Sequence, residues 1–89
     1  MIFISIVTYI ILREVLLVTL DMAKRGQIVK IVDIQDTQVK AQAIRFGLFE
    51  GETVVCTEVV PAGPVIIRKN TQEIALGRGL AKQIKIAVG

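Results

Sequence analysis

The chain has 89 residues, which is room for one domain with a small core. It carries no histidine, no tryptophan and a single cysteine, Cys56. That excludes an internal disulfide and points to a reducing compartment. Eleven basic and eight acidic side chains leave a net charge of +3, too mild a bias to claim a nucleic-acid partner by itself.

Met1 to Leu12 is apolar except for Ser5 and Thr8, and Arg13-Glu14 then interrupts. Twelve residues fall short of the roughly 18 needed to cross a bilayer as a helix. A secretory signal would need a basic start and a small-residue cleavage site, and neither is present. Residues 1–17 therefore read as a hydrophobic leader outside the working domain, with Val18 or Met22 as a sensible beginning. A membrane-associated helix and an extra packed element are the alternatives. Residues 18–89 form the domain, and no linker or repeat divides them.

Leu20 to Gly26 reads as a lead-in turn. Gln27 to Ile34 is a first strand, with Ile28, Val29, Ile31, Val32 and Ile34 apolar around Lys30 and Asp33. Asp36-Thr37 supplies an N-cap for a helix over Gln38 to Phe46. Its apolar stripe is Val39, Ala43 and Phe46, widened by Ile44. Gly47 stops the helix in a left-handed conformation, and Leu48 folds back on the last turn. Glu50-Gly51 turns into Thr53 to Val60, β-branched almost throughout and so suited to a pleated, half-buried strand. Pro61-Ala62-Gly63-Pro64 ends it, with Gly63 expected to supply positive φ. Val65 to Lys69 is the next strand, Asn70-Thr71 a turn, and Glu73 to Leu76 the return. Gly77 to Lys82 interrupts before Gln83 to Val88, where Ile84, Ile86 and Val88 alternate.

This order predicts a mainly β fold, a small and strongly bent antiparallel barrel of about five strands with one short helix at an end. At this size a barrel holds side chains and no cavity. The expected inward set is Ile28, Ile31, Val39, Ile44, Leu48, Val54, Cys56, Val59, Ile67, Ile74, Leu76, Ile84 and Ile86. Glu58 breaks the alternation, and a bulge there would return Val59 to the inside.

Five pieces in order and spacing carry a family resemblance: Lys24 to Ile31, Ala43 to Gly51, Gly63 to Arg68, Ile74 to Leu76, and Ala81 to Ile86. Together they resemble the FeoA family of ferrous iron transport accessory proteins, across Val18 to Val88. The helix-closing pattern of that family stands here as Phe46-Gly47-Leu48-Phe49-Glu50-Gly51. The resemblance implies an SH3-like barrel in the cytoplasm, beside FeoB, the membrane GTPase-linked Fe(II) permease, under a family label of transition metal ion binding. The same module is the C-terminal domain of DtxR-type metal-dependent repressors, whose DNA-binding part this chain lacks. The chain departs from the family in its charged strand end at Lys69, in Gly77-Arg78-Gly79-Leu80 where a helix-friendly acidic stretch is usual, and in its leader.

No catalytic constellation is present, and with no histidine the commonest general acid–base group is missing. Cys56 lies among apolar residues and reads as core. Lys24-Arg25-Gly26-Gln27 lacks the spacing of a phosphate loop. Asp33 with Asp36 and Glu50 with Glu52 are the nearest approach to metal ligands, and a solvated surface explains them better. No metal site and no cofactor are expected. Small basic groups fit ordinary solubility, and few aromatic side chains remain to stack bases, so no nucleic acid is expected. Ile66 and Arg68 share the outward face of their strand and, with Phe49 nearby, are the expected partner-binding residues. Gly47, Gly51, Gly63 and Pro64 are structural turn positions. The sequence thus points to a non-enzymatic accessory protein that contacts the FeoB-type permease, with a homo-oligomer left open. The alternative is a metal-responsive module like the repressor domain, or a small barrel associated with nucleic acid.

Overall fold

A computed structural model describes residues 16–88, so the expectations for residues 1–15 lie outside the described part. Six strands form one antiparallel sheet: β1 (Leu16–Thr19), β2 (Ile28–Asp33), β3 (Thr53–Val59), β4 (Val65–Lys69), β5 (Gln72–Leu76) and β6 (Lys85–Val88). Their order is β1-β6-β2-β3-β4-β5, with β1 and β5 as edges, so the curled sheet is barrel-like but not closed. Helix α1 (Thr37–Arg45) joins β2 to β3, and a four-residue helix α2 (Arg78–Ala81) joins β5 to β6. The strand beyond the expected five is β1, where Leu16 to Thr19 pairs with β6 from Val88 back to Lys85.

The helix ends follow the local chemistry. The Asp36 carboxylate accepts from the amides of Gln38 and Val39 at 2.9 and 3.0 Å. At the other end Gly47 takes φ 79°. Its N–H donates to the Ile44 carbonyl and the Leu48 N–H to the Ala43 carbonyl, both at 2.9 Å. These two hydrogen bonds close the helix through a left-handed residue and turn Leu48 into the core.

The β3–β4 register shifts between Cys56 and Glu58, so Thr57 is the extra residue of a bulge. The Thr57 hydroxyl donates to the Ile66 carbonyl across it, at 3.1 Å. Beyond the bulge Val59 packs half-buried against the core. The following loop differs from expectation. Positive φ falls on Ala62, at 54°, and not on Gly63. Gly63 is needed for space instead, because a Cβ there would stand 2.8 Å from Val60 Cγ1.

Ten of the thirteen expected inward residues are buried: Ile31, Val39, Leu48, Val54, Cys56, Ile67, Ile74, Leu76, Ile84 and Ile86. Ile28 is not, at 63% exposed. Ile28 and Ile31 are three apart and cannot share a face of a period-two strand, and Val29 takes the inside place with Ile31. Ile44 and Phe46 are each 45% exposed, so the buried stripe of α1 is only Val39 and Ala43. Leu48 supplies the bulk that Phe46 was expected to give. The lead-in turn is part of the core too: Leu20 and Ala23 are buried, and the Leu20 N–H donates to the Ile84 carbonyl at 2.8 Å. The interruption at Gly77 to Lys82 holds α2, which contributes buried Ala81.

Candidate functional site

Sheet alternation sends every second side chain outward, and the register shows which of them are neighbours. Ile66 on β4 stands between Glu58 on β3 and Ala75 on β5. Arg68 stands between Val55 and Glu73, and Ile28 lies beyond Val55 on β2. Ile66 and Val55 are half-buried, whereas Arg68, Glu58 and Glu73 are exposed. The structure therefore brings Ile66 and Arg68 onto one outer surface, an apolar strip edged by both signs of charge.

Phe49 is not on that surface. Its ring is 46% exposed at the end of the barrel, with the Lys69 ammonium 5.4 Å from its centroid. Lys69 follows the inward parity of Val65 and Ile67, opposite to Arg68. Its Nζ donates to the Gly47 carbonyl, and to the two oxygens of Glu52 at 2.9 and 2.7 Å. One charge thus ties β4 to the helix end and to the loop that carries Phe49. The charged strand end at Lys69 was the sequence signal for this cluster.

Arg78, one of the small basic groups, has a structural role that the sequence does not signal. Its guanidinium donates to the Val60 carbonyl at 2.7 Å and to the Gly63 carbonyl at 3.1 Å. It holds the β3–β4 loop, where the turn residues Gly63 and Pro64 lie, against the start of α2. Gly51, at φ 92°, donates to the Ile31 carbonyl at 2.7 Å and so fixes the entry to β3.

Three of the four candidate carboxylates are already engaged. Glu50 pairs with Lys40 at 2.7 Å and Glu52 with Lys69, so Glu50 and Glu52 do not converge as a ligand pair. The Glu50 hydrogen bond and charge hold the Lys40 pKa above its ordinary value. Asp36 is spent as a helix cap, and Asp33 shares with it a polar cleft of about 270 Å³ that Lys82 and Lys85 also line. Among the described residues no three of histidine, cysteine, aspartate and glutamate gather. Cys56 is fully buried, and burial pushes its thiol pKa up, the opposite of what a thiolate ligand or nucleophile requires. A more apolar groove of about 420 Å³ runs between α1, at Gln42, Arg45 and Phe46, and the β5 end.

Among the described residues no helix is long and apolar enough to cross a membrane. The family model described as the FeoA domain matches residues 18–88. A crystal structure of an iron uptake regulatory protein, FeoA, is 27% identical with a TM-score of 0.76, covering 83% of this chain and all of that one. A FeoA-like protein from Clostridium acetobutylicum is 19% identical with a TM-score of 0.72, covering 81% of this chain and 86% of that one. The fold also recurs in ScaR, solved with bound zinc, at 22% identity and a TM-score of 0.71. There 78% of this chain is covered and only 35% of the other. A comparison with curated proteins finds no match.

Proposed function

Since the match over residues 18–88 makes this chain a member of the FeoA family, with a role in ferrous iron transport, we propose that it acts as a non-enzymatic accessory protein of Fe(II) uptake. It works by contact with the cytoplasmic side of a FeoB-type permease. The observation that carries the reading is the Ile66 strip. A half-buried isoleucine sits on a rigid sheet between exposed Arg68, Glu58 and Glu73, which is a surface for a protein and not a pocket for a substrate. Phe49 belongs to a second contact, at the barrel end, where Lys69 holds its loop in place. The test is co-purification of the full chain with the cytoplasmic part of the permease. Capture supports the reading, and failure of the folded chain to bind removes it.

The likeness to ScaR favours a second reading, a metal-responsive module. The side chains support it less well, because the thiol is buried and Glu50 and Glu52 are held by lysines.

A further inference from the structure

The sheet has an edge at β5, and the register shows which of its backbone groups are free. Cys56 turns its backbone away from β4: its N–H donates to the Gln27 carbonyl, and its carbonyl accepts from the Gly26 N–H. Its neighbour Val55 therefore bonds the other way, to Arg68 on β4. By the same alternation Ile67 and Lys69 bond outward to β5, at Ile74 and Gln72. The N–H and C=O of Glu73 and Ala75 then point off the edge. Among the described residues no backbone or side-chain group takes them. No proline or lysine on β5 guards this edge, and Glu73 is its one charge.

The groove of about 420 Å³ between α1 and the β5 end opens beside these free groups. Ala75 lines it from the strand, Phe46 from α1 and Leu80 from α2. Phe46 is 45% exposed and Leu80 half-buried, so apolar surface on both walls lacks a cover. Arg45 is the only charged residue lining the groove. It is exposed and forms no ion pair among the described residues. Glu73 does not line the groove and stands opposite Arg68 toward the other end of the strand. The occupant this site fits is an extended chain, which satisfies the edge, with an aliphatic side chain for the groove and a carboxylate for the guanidinium. The β5 strand of a second copy does not supply the aliphatic group, because its Ile74 and Leu76 are already buried in their own core.

We propose that β5 takes an extended acidic segment of another protein as an added strand. The segment pairs with the free groups of Glu73 and Ala75. It places an aliphatic side chain between Phe46 and Leu80 and an Asp or Glu carboxylate on Arg45. The inference does not depend on the permease contact through Ile66.

The test pans the full chain against a phage-displayed library of linear peptides. The most enriched peptide is then synthesised with both ends blocked and titrated by calorimetry. It should carry an aliphatic residue close to an Asp or Glu. Arg45→Glu should weaken it about tenfold or more, through loss of a charge-assisted pair. Ala75→Pro should do the same, because it removes a free edge N–H while leaving the β4 ladder intact. Both positions are exposed, so both variants should melt close to the parent. Arg45→Glu keeps the test decisive should Ala75→Pro fail to fold. Failure to enrich any peptide overturns the proposal, as does enrichment of peptides without a carboxylate. Unchanged affinity in the folded variants overturns it too. Affinity lost only in Ile66→Lys would move the peptide to the outer strip and overturn the groove. A dimer of the full chain that Ala75→Pro dissolves would make the occupant a second copy and equally overturn it.

Discussion

Lys69→Met tests whether one partly buried charge organises the barrel end. The substitution keeps most of the stem and removes the ammonium. Three contacts are lost at once: to the Gly47 carbonyl, to Glu52 and to the Phe49 ring. The Lys69 and Glu52 side chains are 26% and 25% exposed, so the pair lies between two regimes. A surface pair contributes about 0–1 kcal/mol, and breaking a fully buried one costs about 3–5. The expected loss is therefore about 2 kcal/mol. At about 4–8 °C per kcal/mol for a domain of this size, the melting temperature should fall by roughly 8–16 °C. Glu52→Gln should lose less, because Lys69 keeps the Gly47 carbonyl. Thermal melts of the two single variants and the double variant close the cycle, with an expected coupling of about 1 kcal/mol. A loss below about 0.5 kcal/mol for Lys69→Met, or strict additivity, would refute the argument.

Gly47→Val should destabilise more than Gly47→Asn by roughly 1–2 kcal/mol, because asparagine tolerates the left-handed conformation and a β-branched residue does not; equal melts would mean that the conformation is not required. Cys56 should resist thiol reagents in the folded protein and react at a rate set by unfolding, and prompt labelling would place it outside the core. Burial raises its folded pKa above the unfolded value, so the unfolded chain ionises first. Stability should then be intact below about pH 8.5 and decline as pH rises beyond it, a component that Cys56→Ala removes. Anaerobic calorimetry should find no tight one-to-one Fe(II) site in the isolated protein, whose thiol is buried and whose Glu50 and Glu52 are paired; a micromolar site would contradict that assignment.

What was legible in the sequence was whatever local chemistry decides. The cap at Asp36, the stop at Gly47 and the bulge ahead of Glu58 each follow from two or three neighbouring residues. The misassigned residues need knowledge of the partner element. Ile28 and Val29 are both β-branched and adjacent, so only the register says which one faces in. Ile44 and Phe46 satisfy a helical stripe, but α1 rests on small Ala43 and leaves them outside. Gly63 signalled a tight turn correctly and its reason wrongly, since the neighbour that excludes a side chain is Val60. Lys69 and Arg78 act on carbonyls 22 and 15 or more residues away, and no local pattern encodes such contacts. At the expected partner surface, strand periodicity placed Ile66 and Arg68 together, whereas the position of Phe49 depended on where the helix end meets β4.

The contact through Ile66 is the central claim, and a paired measurement of affinity and melt decides it. The full chain and its Ile66→Lys variant are titrated against the cytoplasmic part of a FeoB-type permease, and both are melted alone. Because Ile66 is only half-buried, the variant should unfold within a few degrees of the parent, roughly the span of 1 kcal/mol for a domain of this size. Its affinity should fall about tenfold or more, the scale of losing one apolar anchor at an interface. Equal affinities for the two folded proteins, or no binding by either, would contradict the account.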